Sequence, residues 1–196
     1  MLASESTPAV WKELTHEIEE CTRCPLHATR THVVVYRGSL APRIVFVGEA
    51  PGAAEDRQGL PFVGASGRRL DVAISTLGLA PDQYGILNLL KCRPPNNRFD
   101  PKAAATCRPF LDRQLAILRP QLLVTLGGSA LRAFLPEASA MLESSGRPRR
   151  AGNWTIFPLL HPAATMRSRR FQVRWTEDLS QLKEHLARSP GESLLP

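Results

Sequence analysis

The sequence predicts an α/β chain built as three α/β/α layers around a central, mostly parallel sheet of four strands. Three observations lead there. Four short runs rich in Ile, Leu and Val (RIVFVG, GILNLLKC, QLLVTLGG and WTIFPLL) recur along the 196 residues. Stretches with apolar residues at helical spacing separate them, and strands covered by helices on both faces read as near-continuous apolar runs. No apolar run approaches the roughly 18 to 20 residues that cross a bilayer, so no membrane partner is expected.

The elements follow in order. Residues 9–20 (AVWKELTHEIEE) put Val10, Leu14 and Ile18 on one face of a helix that runs into Cys21. The run from Arg43 to Gly48 reads as a buried strand feeding a loop, EAPGAAEDRQG, dense in turn residues. A helix over 66–79 follows, with Ser66 placed to cap it. The strand over 85–92 is followed by a helix over 101–118, the strand over 121–128 by a helix over 128–135. The last strand, 154–160, precedes a helix over 173–187. The length suits one domain spanning 1–196, with a frayed tail from about 189. In open sheets of this kind ligands bind beyond the carboxyl ends of the strands. Glu49, Asn88 and His161 stand at three such ends, so separated motifs converge on one place.

Charge narrows the partners. Twenty-five Lys and Arg against 18 Asp and Glu leave +7, which suits a polyanion such as nucleic acid. Arg147, Arg149 and Arg150 form one basic group and Arg167, Arg169, Arg170 and Arg174 another. The opening MLASESTPAV carries neither the basic start nor the apolar stretch of a secretory signal. A cytoplasmic location and a monomer are expected.

In a reducing compartment four cysteines suggest a metal centre before disulfides. Cys21 and Cys24 form C-x-x-C; Cys92 follows after 67 intervening residues and Cys107 after 14 more. Two thiolates three positions apart can meet one metal or cluster, and two more complete either an all-thiolate zinc site or a 4Fe-4S cluster. Spacing leaves both open.

The segment Gly48-Glu49-Ala50-Pro51-Gly52, followed by Glu55-Asp56 and GLPFVG (59–64), stands with CTRCPL, NLLKCRPPNNR and HPAATMR. Together these resemble the family 4 uracil-DNA glycosylases, the iron-sulfur branch of that superfamily, over about residues 10 to 187. The resemblance implies the uracil-DNA glycosylase fold and excision of uracil from single- or double-stranded DNA for base-excision repair. It implies one [4Fe-4S] cluster on Cys21, Cys24, Cys92 and Cys107, and so chooses where spacing does not.

It implies that Phe62 stacks on the flipped base, that Asn88 reads its polar edge, and that Gly48, Gly52 and Glu55 help bind it. His161, Glu49 and Ala50 take the catalytic positions, with His161 at the uracil oxygen beside the scissile bond. Met166 becomes a wedge, while Arg167, Arg169 and Arg170 grip DNA phosphates. Glu49 and Glu55 are the two candidates for excluding the methyl of thymine. A sliding clamp is a candidate partner.

Ala50 stands where some relatives carry an aspartate, which shifts the burden to Glu49 or to backbone carbonyls. KCRPPNNRFDP lacks the histidine with which a neighbouring branch bonds covalently to the sugar, so turnover is expected. The competing readings are a non-catalytic iron-sulfur nucleic-acid-binding protein of the same fold, a four-cysteine zinc protein with another hydrolytic function and, last, a phosphate or nucleotide binder, for which the Gly-rich segment lacks the G-x-x-x-x-G-K pattern.

Overall fold

The computed structural model describes residues 7–138 and 140–188. The expected tail at 189–196 lies outside the described residues. All four predicted strands form, as β2 (Ile44–Gly48), β3 (Tyr84–Asn88), β4 (Leu122–Leu126) and β6 (Trp154–Leu159). They lie side by side and parallel in the order β3-β2-β4-β6. Two short antiparallel strands extend the edges among the described residues: β1 (Arg37–Gly38) beside β3 and β5 (Arg149–Ala151) beside β6. Runs of two and three residues are too short to carry a period, which is why the pattern does not announce them.

Alternation along each strand sorts the core into two layers. Ile44 and Phe46 of β2, Ile86 of β3, Val124 of β4 and Phe157 of β6 face α3 (Ala65–Leu77) and α8 (Arg169–Arg188), packing with Leu70, Ile74, Trp175 and Leu182. Val45, Val47, Leu87, Leu123 and Ile156 face the other way. There they meet Leu111 and Leu115 of α4 (Pro101–Leu118) and Leu131 of α5 (Gly128–Phe134). Each such side chain taken from water contributes about 1.5 to 3 kcal/mol. The first helix, α1 (Thr7–Glu19), lies on α4 through Leu14, Ile18 and Phe110. The layers are therefore α, β and α, as the pattern predicts.

Several boundaries differ from the sequence reading, among them the last helix, which begins at Arg169 rather than at 173. The stretch expected as a loop after β2 contains a helix, α2 (Ala53–Gln58), where the Glu55 carboxylate caps the Gly52 N–H and Gly59 ends the turn at φ 69°. The strand expected to reach Cys92 ends at Asn88. Leu89 and Leu90 still bond to the Gly48 and Glu49 carbonyls, but the Lys91 carbonyl turns to Val34, so Cys92 sits in a loop. Gly64, not Ser66, occupies the cap of α3. Two short helices complete the described chain, α6 (Met141–Ser144) and α7 (Pro162–Thr165).

Candidate active site and cysteine pocket

Strand register brings the separated motifs together. Gly48 pairs with Asn88 at the carboxyl ends of β2 and β3, and His161 follows β6 as the cap of α7. Around these ends lies a cavity of about 560 Å³, lined by Glu49, Ala50, Gly52, Glu55, Phe62, Asn88 and His161 among others. Asn88 is 1% exposed, and neither its Nδ2 nor its Oδ1 has a hydrogen-bond partner among the described residues. Burying an amide this way costs about 1 to 3 kcal/mol for each unmet group. Such an unmet amide in the lining of a cavity is available to a donor and an acceptor of a ligand.

Phe62 forms a wall of the same cavity. It adopts φ 55°, a left-handed conformation that costs a bulky residue roughly 1 to 3 kcal/mol and persists only where neighbours enforce it. The enforcement is visible. Glu55 accepts from the N–H groups of Gly52 at 3.1 Å, Val63 at 3.0 Å and Gly64 at 2.8 Å. It thus ties the residues after Phe62 to the head of α2. Gly67 leaves room for the Phe62 carbonyl, which any Cβ there would strike. At Gly48 a Cβ would meet the Phe62 ring at 2.6 Å and would strike Asn88 Oδ1, so the amide and the aromatic ring converge over a position that only glycine fits.

His161 lines the same cavity, its ring centroid 5.9 Å from that of Phe62. Its Nδ1 accepts from the Ala163 N–H at 3.2 Å, which assigns the proton of the neutral ring to Nε2. Burial pushes its pKa below the ordinary value, with Glu49 and then Glu55 pulling part of the way back. A neutral imidazole with an Nε2–H donor is therefore the resting form at neutral pH. Ala50 brings no chemistry of its own. It lines the cavity and packs its methyl against Leu26, Leu90, Cys92 and Ala103.

A second, smaller pocket holds all four cysteines, with Ile18, Arg30, Lys91 and Phe110 around them. Cys21 follows α1, Cys24 precedes a 3-10 turn (Pro25–Ala28), Cys92 lies beyond β3 and Cys107 sits in α4. No disulfide joins them. Burial raises the Cys92 and Cys107 thiols; Arg30 opposes this at Cys92, and Lys91 opposes it at Cys107 through its charge and its backbone N–H. Arg30 donates to Cys92 Sγ at 3.2 Å and to the Cys21 and Glu19 carbonyls. Among the described residues no group of three or more Cys, His, Asp or Glu is gathered to hold a single metal ion.

With this geometry in hand, the comparison with known proteins is direct. The model of the uracil DNA glycosylase superfamily matches residues 35–183. The chain belongs to this superfamily. Within it, the chain is similar to type-4 uracil-DNA glycosylases. That of Thermotoga maritima is 38% identical, covering 88% of this chain and 93% of the relative. Those of Saccharolobus solfataricus (36%; 90% and 87%) and Sulfurisphaera tokodaii (37%; 88% and 83%) are close behind.

Arg167 lines this glycosylase-superfamily cavity, and Met166, its chain neighbour, is 51% exposed. Arg169 and Arg170 open α8 on the exposed surface. Arg69 donates to Thr165 Oγ1 at 3.1 Å and so fixes α7, which carries the segment. Arg147, Arg149 and Arg150 are exposed along and before β5. Sequence reasoning passed over Asn97, which lines the cavity from the loop after Cys92, and the buried Lys91. Lys91 carried a signal: a lysine enclosed in an otherwise apolar run, LLKC.

Proposed function

We propose that this member of the superfamily excises uracil from DNA, releasing the free base and leaving an abasic site. The observation that carries this reading is the unpartnered amide of Asn88, which converges with the Phe62 ring on Gly48. A base in a duplex must leave the stack to reach such a site, where stacking and edge hydrogen bonds hold it. Uracil offers a carbonyl oxygen and an N–H side by side, matching the Asn88 Nδ2 and Oδ1; cytosine offers the reverse. The mismatch leaves two buried groups unmet, which separates the bases by several orders of magnitude.

Bond cleavage transfers the glycosidic electron pair to uracil while the sugar carbon becomes cation-like. His161 Nε2–H donates to the oxygen beside the departing nitrogen and steadies the charge that collects there. The Glu49 carboxylate faces the sugar side, balances its positive charge and orients the attacking water, accepting its proton as the oxygen bonds to carbon; the departed uracil anion takes up a proton from solvent. Phe62, held by Glu55, keeps the ring aligned during the transfer. Of the two carboxylates Glu55 is the fixed one, 9% exposed and bound by three backbone N–H groups. A wall that excludes a methyl by bulk must not yield, so Glu55 serves as the thymine barrier.

The cysteine pocket suits a [4Fe-4S] cluster on Cys21, Cys24, Cys92 and Cys107. All four cysteines line one pocket with Arg30 and Lys91 beside them, and four thiolates are the ligand set such a cluster takes. When bound it ties α1, the loop after β3 and α4 into one unit. Met166, with Arg167, Arg169 and Arg170, fits the DNA side: an apolar wedge for the vacated stack and cations for phosphates.

A labelled oligonucleotide with one uracil, incubated with the purified protein and then treated with alkali, tests the reading. Strand scission at uracil and none at thymine or cytosine is expected. Intact uracil strands that nonetheless bind the protein would leave it a DNA-binding protein.

A further inference from the structure

Among the described residues Lys91 is the one lysine or arginine in the buried class, 2% exposed. Its ammonium donates to the Asn88 carbonyl at 2.7 Å, and its backbone N–H reaches the Cys107 thiol. No carboxylate pairs with it among the described residues. A buried ammonium with one carbonyl for company is costly unless negative charge stands near. Four thiolates around an iron-sulfur core form a net anion, and Lys91 shares their pocket.

The other end of the contact matters as much. The Asn88 side chain has no protein partner of its own, so its aim is inherited from its backbone. That backbone stands at the end of β3, where the sheet ladder gives way to the loop carrying Cys92. The bond from Lys91 holds the Asn88 peptide at that point of divergence.

Resting on the functional reading above, we propose that Lys91 is a positioning residue for uracil recognition: its ammonium, compensated by the cysteine site, fixes the Asn88 peptide and so couples occupancy of that site to the aim of the base-reading amide. The coupling spans five residues, Asn88 to Cys92. It explains a lysine in a position whose neighbours, Leu89, Leu90 and Cys92, are all buried.

Two variants of the cluster-loaded protein separate the hydrogen bond from the charge. Lys91→Met removes both, whereas Lys91→Gln keeps a donor without the charge. Three quantities are read: iron content with visible absorption, affinity for free uracil by competition, and the midpoint potential of the cluster.

With the cluster retained, Lys91→Met should weaken uracil by about tenfold or more, the scale of losing a charge-assisted bond, and Lys91→Gln by clearly less. Both should move the potential to more negative values, because removing a nearby cation disfavours an added electron. A Lys91→Met protein with a full cluster and unchanged uracil affinity overturns the proposal. So does a variant that loses the cluster yet binds uracil as the wild type does. Wild-type protein that fails to take up uracil sinks the functional reading itself, a result distinct from either.

Discussion

The rings of Phe62 and His161 lie with centroids 5.9 Å apart and planes tilted by 36°, an aromatic wall meeting a hydrogen-bond donor across the same cavity. One comes from the loop after α2 and the other from the end of β6, about a hundred residues later in the chain. Both are held by backbone N–H groups: Phe62 through Glu55, His161 through Ala163. These contacts lie within the protein itself, so the proposed reaction needs no rearrangement of either ring, the condition for electrostatic catalysis.

The pH profile should reflect His161. Its folded pKa lies below the ordinary value through burial, so the unfolded chain takes up the proton first. Stability contributed by this group is complete above about pH 6.5 and is lost as pH falls from there through the folded pKa. Excision should follow the same limb: kcat/KM level from about pH 6.5 to 8 and falling below, with a midpoint under 6.5. His161→Asn should slow excision by about a hundredfold and lose the acid limb. An unchanged profile in that variant would remove His161 from the reaction.

Glu55→Gln keeps the shape but loses the charge that three N–H groups share. Chemical denaturation should show a loss of about 1.5 to 3 kcal/mol, and excision should fall as Phe62 relaxes from its left-handed conformation. Equal denaturation midpoints for variant and wild type would contradict the clamp.

Gly48→Ala places a methyl against the Phe62 ring and the Asn88 amide at once. A core insertion of this kind costs about 1 to 3 kcal/mol, and here the strain falls on Phe62 and Asn88, the two groups proposed to hold the base. Uracil excision should drop by far more than stability does; thermal melting alongside single-turnover rates measures both.

Arg167→Ala should reduce the dependence of DNA affinity on salt, by about 0.7 to 0.9 in the logarithmic slope for a lost phosphate contact. Affinity should fall alike for strands with and without uracil. A slope equal to the wild type's would place Arg167 off the backbone path.

Much of this architecture is legible in the sequence because the four central strands are apolar on both faces and end in polar or small residues. Ile44 to Val47 read as a buried strand, while Asn88 ends β3 and His161 follows β6. The parts that escape are those set by tertiary contact. The helix AAEDRQ hides between prolines and glycines and is stabilised by the Glu55 cap. The clamp that Glu55 places on Phe62 spans eight and nine residues and has no periodic signature. Ser66 has the chemistry of a cap, but the bend required by Phe62 and Gly67 puts Gly64 there instead. The cysteines are plain in the sequence, whereas the route from them to the cavity through Lys91 appears only when β3 diverges into its loop.

The most direct test of the account compares single-turnover excision of uracil by wild-type protein and by Asn88→Ala, with thermal melting of each. The account predicts a loss of at least about a hundredfold in rate with a melting midpoint that does not fall in proportion, because the amide removed is unpartnered in the free protein. A variant that still cuts uracil at the wild-type rate would contradict it.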